Sequence, residues 1–133
     1  MLPWSWAVER LEASRNYWIG TTGADGAPSA APVWGLWLDG GVVFGTSPRS
    51  AKGRNLARDA RVVVHLESGD EVVILHGESE PFRLDAAAAD LYHAKYGFRP
   101  EPSEGWHRVP PRIALAWLES AYPQTATRFT FDA

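Results

Sequence analysis

The chain contains no cysteine among its 133 residues. That excludes a disulfide framework, a thiolate metal site and a thiol nucleophile, and it suits the cytoplasm, where we expect the protein to reside. No hydrophobic run approaches membrane-spanning length, and no signal-peptide pattern opens the chain. A basic surplus is missing too. The formal net charge of −3 argues against a dedicated nucleic-acid binder, whose phosphate neutralisation needs a broad cationic surface. Hydrolytic motifs are equally scarce, with no G-x-S-x-G elbow and no spacing that ties a nucleophile to a base. His65, His76, His93 and His107 are scattered without an H-E-x-x-H or comparable pattern, so no metal site is expected. Internal repeats are absent, which removes solenoids from consideration.

What is present is a chain of single-domain size, residues 1–133, with seven tryptophans. Each indole brings a large apolar area and one N–H that wants a partner, which suits cores, dimer faces or planar ligands. Trp4 to Ala13 predicts a short amphipathic helix with Trp4, Ala7 and Leu11 on one face. Asn16 to Thr22 predicts a strand closed by a turn at Ala24-Asp25-Gly26, and Pro28 to Leu38 a return strand whose prolines belong at an edge or bulge. Asp39-Gly40-Gly41 reads as a second turn and Val42 to Thr46 as a third strand. Arg61 to Glu67 is a fourth, and Glu71 to Leu84 a long fifth that Pro81 interrupts. Asp85 caps a helix that ends at Gly97. The four prolines between residues 98 and 111 predict a loop or lid. Arg112 to Glu119 fits helix or strand, and Thr125 to Phe131 alternates as a final strand. Short strands joined by tight turns predict a mainly β fold with a few helices, closed as a small barrel.

The chemistry concentrates in Phe44 to Arg61. Arg49, Lys52, Arg54, Arg58 and Arg61 are five of the thirteen Lys and Arg residues, set against the single acid Asp59. Cations at a helix N-terminus oppose the helix dipole, and a bound phosphate would reverse the sign of that cost. Thr46, Ser47 and Ser50 add hydroxyls, and either serine can cap the helix. Two readings fit: an anion site, or a capped surface helix with solvated charges. It is no Walker loop, which needs G-x-x-x-x-G-K-[ST].

The run T-S-P-R-S-A-K-G-R-N-L-A-R-D-A-R-V resembles the phosphate-binding strand, loop and helix of the pyridoxamine 5′-phosphate oxidase-like split-barrel flavoproteins, most of all their flavin- or deazaflavin-dependent oxidoreductase branch. The stretches G-T-T-G-A-D-G-A-P-S-A-A-P-V-W at 20–34 and T-R-F-T-F at 127–131 extend the likeness over nearly the whole chain. The resemblance implies a split β-barrel, with a strand over Arg112 to Glu119, and a homodimer with the cofactor between subunits. It also implies an oxidoreductase moving hydride to or from a small organic substrate, with the deazaflavin coenzyme F-420 or FMN as cofactor. Lys52 and Arg49 would grip the phosphate, helped by Thr46, Ser47, Ser50 and Asn55, while Pro32, Val33 and Trp34 would run beside the ring. Trp34 reads equally as ordinary barrel core. Many relatives carry arginine immediately before the lysine, where this chain has Ala51. A non-catalytic binding or storage protein and a haem-binding barrel are the alternatives.

Overall fold

The structure, a computed structural model, describes residues 1–132. Its elements run in the order α1 (Trp4–Ala13), β1 (Tyr17–Thr22), β2 (Pro28–Val33), β3 (Leu36–Leu38), β4 (Gly41–Gly45), α2 (Ala51–Arg58), β5 (Arg61–Leu66), β6 (Glu71–Glu78), β7 (Glu80–Leu84), α3 (Ala86–Tyr96), β8 (Ser103–Val109) and β9 (Pro111–Leu118). A 3-10 turn at Glu119–Ala121, the short helix α4 (Tyr122–Thr125) and β10 (Thr127–Thr130) complete it. The strands form two antiparallel sheets, ordered β10-β9-β6-β5-β1-β2 and β3-β4-β8-β7. This is the split-barrel architecture that the sequence leads one to expect.

Alternation decides the faces of the larger sheet. Tyr17 and Ile19 on β1, Val62 and Val64 on β5, Val73 and Leu75 on β6, and Ala114 and Ala116 on β9 all point inward. There they meet Val42 and Phe44 of the smaller sheet, with α1 closing one end through Ala7 and Leu11. Turn chemistry sets the hairpins. Gly26 supplies a φ of 87° after β1, and Asp39 (53°) and Gly40 (71°) together give the two left-handed residues of a tight turn before β4.

Three expectations are corrected. The return strand predicted over Pro28 to Leu38 breaks at Trp34-Gly35 into β2 and β3, which belong to different sheets. Gly35 is where a bulkier residue fails, since a Cβ there would lie 2.7 Å from the Val43 carbonyl oxygen. Likewise, the long strand over Glu71 to Leu84 splits at Ser79, so Pro81 sits inside β7 on a sheet edge, where its missing N–H costs no ladder bond. The segment 98–111 is not simply a loop: its prolines at 100, 102, 110 and 111 flank a stretch that pairs as β8 with both β4 and β7. The prolines punctuate that strand rather than prevent it. The prolines at 28 and 32 do lie on an edge, because β2 pairs only with β1.

Helix α3 is framed as its sequence predicts, by the Asp85 side chain accepting from Ala88 N at 2.8 Å and by left-handed Gly97. It is docked by an uncommon pair of polar anchors. Lys95 Nζ donates to Tyr17 Oη and to the Gly35 carbonyl, both at 2.9 Å, and Tyr96 Oη accepts from Gly35 N at 2.9 Å. Burial lowers the Lys95 pKa from 10.5 to about 8 and raises that of Tyr17, which stays protonated. Keeping Lys95 charged is therefore a burden on the fold below pH 8. Between about 8 and 10.5 the unfolded chain binds the proton more tightly, so this group adds stability as the pH rises. Urea denaturation of the native protein and of Lys95→Met should show the difference between them moving in favour of the native protein from pH 7.5 to 9.5; a constant difference would refute this account.

Candidate functional site

The cationic stretch folds as a hydroxyl-braced turn running into α2. Ser50 is the N-cap, its Oγ accepting from Gly53 N at 3.0 Å while donating to the Ser47 carbonyl at 2.7 Å. With that proton committed, Thr46 Oγ1, 2.9 Å from Ser50 Oγ, is the donor of their pair. Ser47 Oγ accepts from Arg49 N at 3.1 Å and keeps its own O–H for an outside partner. So Thr46 and Ser50, expected as ligand donors, spend their hydroxyl protons on the loop itself, and Ser47 is the hydroxyl with one to give. The first turn of α2 presses directly on this loop. A Cβ on Gly53 would fall 2.2 Å from the Ser47 oxygen and 2.8 Å from Pro48 Cα, so only glycine fits.

The cations around this turn lack acids. Among the described residues neither Arg49 nor Lys52 has a side-chain hydrogen bond or ion pair, and Lys52 is half-buried. Arg54 donates to the Arg49 carbonyl and Arg58 to Asn55 Oδ1, both neutral oxygens. The nearby carboxylate, Asp59, is taken by Arg61 at 2.6 Å, whose hydrogen bonds hold its pKa down at about 2. The arrangement is a helix N-terminus with free backbone donors beside two unmatched positive charges, which can hold a dianion. These residues fit a phosphate group.

Asn55 plays a different part from the one its position suggests. It is buried, its Nδ2 donates to the equally buried Thr21 Oγ1 at 3.0 Å, and its Oδ1 is held by Arg58. It ties α2 to β1. Thr21 in turn lines a groove of about 1220 Å³ along the outer face of the larger sheet, where Gly20, Pro28, Ala30, Val63, His76 and Ile113 form walls and floor. Gly20 keeps that floor open, since a Cβ there would come within 2.5 Å of Val63 Cγ1.

The residues expected beside a ring are placed by the β2 edge. Pro32 is exposed opposite Trp18, Val33 is half-buried against the core, and as an edge strand β2 leaves one row of backbone groups without a sheet partner. The Trp34 ring stacks on Tyr96 of α3 at 4.5 Å and 5°, with the Arg15 guanidinium 5.1 Å above it. It stays 39 % exposed. The structure thus brings Thr46, Ser47, Arg49, Ser50 and Lys52 together on one turn and ties Asn55 to β1, while Trp34 lies against α3. Sequence reasoning did not single out Thr21, and a threonine inside an alternating strand gave no signal to find it by.

The family model described as pyridoxamine 5′-phosphate oxidase matches residues 7–120. The chain belongs to the pyridoxamine 5′-phosphate oxidase family. Solved structures of the same fold include a conserved hypothetical protein from Mycobacterium tuberculosis, 22% identical over 89% of this chain and 86% of that one, with a TM-score of 0.74. A heme-binding protein from Mycobacterium smegmatis is 19% identical over 98% of this chain and 59% of that one, TM-score 0.74. An F-420 reductase is 17% identical over 80% of this chain and 93% of that one, TM-score 0.64. At such identities the likeness is one of fold. No curated protein matches the chain. No helix among the described residues is long and apolar enough to cross a membrane.

The Asn55 tether has a measurable worth. Asn55→Ala leaves the buried Thr21 hydroxyl without its partner and should cost about 1–3 kcal/mol in urea denaturation. Adding Thr21→Val to Asn55→Ala should recover part of that loss, because the orphaned hydroxyl is then gone. A double variant as unstable as the sum of the singles would mean that the two side chains act independently.

Proposed function

We propose that the protein is an oxidoreductase that holds a phosphorylated flavin-type cofactor, coenzyme F-420 or FMN, and transfers hydride to or from a small organic substrate. The observation that carries this reading is the pair of unmatched cations, Arg49 and Lys52, at the hydroxyl-braced N-terminus of α2. Membership of the family and the fold shared with an F-420 reductase point the same way. Bound there, the cofactor ring would supply hydride transfer by its own chemistry. The chain's part is to bind, orient and exclude water. Lys52 would act as a compact charge on the phosphoryl group, with Arg49 a second charge and Ser47 a hydroxyl donor. The unpaired backbone row of β2 at Pro32 and Val33 would meet the polar edge of the ring. Of the two cofactors we favour the deazaflavin, on the R-N-L-A-R-D-A-R continuation of the motif.

Dimerisation is part of the same proposal. The outer face of the larger sheet presents Trp18, Val63, Ile74, Ile113, Leu115 and Trp117, rows that the register places side by side across β1, β5, β6 and β9. A monomer seldom leaves so broad an apolar face wet. A second copy packed there about a two-fold axis would roof the groove and give two equivalent sites. Cytoplasmic residence belongs to this reading as well.

Titration with F-420 and with FMN, followed by tryptophan quenching, tests the proposal, and failure of both to bind would reject it. Turnover of reduced cofactor with enones or quinones then separates an enzyme from a storage protein, and a Soret band on adding haem would favour the haem-binding alternative. Lys52→Ala should weaken cofactor binding by about 1.5–3 kcal/mol, roughly ten- to a hundredfold, as for a charge-assisted hydrogen bond. Unchanged affinity would place the phosphate elsewhere. Leu115→Arg should turn a dimer into a monomer in analytical ultracentrifugation.

A further inference from the structure

The outer face of the larger sheet carries an ionisable ring in its apolar middle row. The register sets Pro32, Trp18, His65, Ile74, Leu115 and Arg128 side by side from β2 to β10, so His65 lies between an indole and an isoleucine. Its ring runs nearly parallel to that of Trp18, at 7° and 6.2 Å between centroids. His65 Nδ1 is 2.8 Å from the Leu66 carbonyl, which can only accept, so Nδ1 carries the proton and Nε2 the lone pair. Among the described residues nothing bonds to Nε2, and no buried side-chain nitrogen lacks a partner, so this atom meets solvent in the single chain.

The surroundings offer a second positive charge little support. Just past the end of β5, the Glu67 carboxylate accepts from Asn16 Nδ2 at 3.0 Å, and at the start of the strand Arg61 is taken by Asp59. On the β1 side, Trp18, Gly20 and Asn16 do not titrate. On the β6 side, Ile74 lies opposite His65, with Val72 and His76 on the diagonals and Glu78 beyond, 3.7 Å from Arg112 of β9. Further along the row come Leu115 and the cation Arg128. The flanking carboxylate is thus spent on an amide, and the nearest uncommitted ionisable neighbour is another histidine.

We propose that His65 makes the dimer sensitive to pH: two copies hold together on this face while its imidazole is neutral and separate when Nε2 gains a proton. The inference rests on the two-fold packing proposed above and names the control of that packing. A second copy laid on the row takes water away from Nε2. A neutral imidazole bears that loss far better than a cation, which gives up its hydration with no free carboxylate on its own sheet to replace it. Association therefore disfavours the protonated form, so the dimer is favoured above the histidine range and lost as the pH falls through it. The two-fold axis brings His65 in twice, so any penalty on protonation is squared in the dissociation constant. Bulk charge works the other way. The net charge is −3 at pH 7, and protonation of the four histidines carries it through zero, which removes repulsion between copies. Separation in acid would also take the roof off the groove, so a cofactor seated there would be retained at neutral pH and released below it.

Sedimentation velocity on the full chain at pH 7.5 and pH 5.5, at constant salt, reads the switch. The dimer dissociation constant should rise at least tenfold at the lower pH, with the far-UV circular dichroism unchanged. His65→Phe, which keeps a flat ring beside Trp18 and cannot charge, should hold that constant within twofold across the same interval. Should that variant fail to fold, His65→Gln, neutral and polar, should behave in the same way. A native dimer equally tight at both pH values overturns the proposal and leaves the two-fold packing standing, whereas a monomer at pH 7.5 removes both. Acid weakening that persists undiminished in the His65 variants assigns the effect to another group and overturns it as well. Unfolding at pH 5.5 in place of separation is equally fatal.

Discussion

The seating of α2 on the Ser47–Pro48 turn is the contact on which the functional half of this molecule depends. The Ser47 oxygen occupies the space where any side chain at residue 53 would project, so helix and turn meet backbone to backbone. Ser50 then locks the two with one accepted and one donated hydrogen bond. From that seat the remaining geometry follows. Arg49 and Lys52 are carried to the positive end of the helix, and Asn55 is aimed at Thr21. The other flank of the helix becomes the wall of a smaller cavity.

Electrostatics explains why the turn needs an outside partner. An isolated surface ion pair contributes little, and its absence is ordinarily unremarkable. Here, though, the unmatched cations sit where the helix dipole also repels them, while several acids elsewhere have arginine partners: Glu71 has Arg10, Asp90 has Arg99 and Glu80 has Arg108. The ion pair beside α2, Asp59 to Arg61, lies past its C-terminal end, and the turn at its start stays positive.

Much of the local structure was legible in residue pattern. The bounds of α1, the N-cap of α3 by Asp85 and its stop at Gly97 follow from short-range rules that need no knowledge of the rest of the fold. Strand continuity was not legible, because a chain crossing from one sheet to the other keeps the same alternation on either side of the crossing. Gly35 and Ser79 mark those crossings, and both look like ordinary residues within a run of strand formers. The segment holding β8 misled for the opposite reason: its prolines dominate the composition while leaving the interval between them free to pair. At the site, the cation cluster was visible because charge density is a property of sequence. The Thr21–Asn55 bond and the Ser79–His107 bond were not, since each joins residues far apart along the chain.

The sheet margins bear on how the molecule behaves when crowded. Proline occupies β2 at two positions and β7 at one, and these strands form one rim of each layer, while the opposite rims are the four residues of β10 and the three of β3. A strand from a stray chain finds either a row of N–H groups interrupted by proline or too short a template. The protein can thus be adhesive on its broad surface without seeding fibrils from its borders, which favours finite assemblies over aggregates at high concentration.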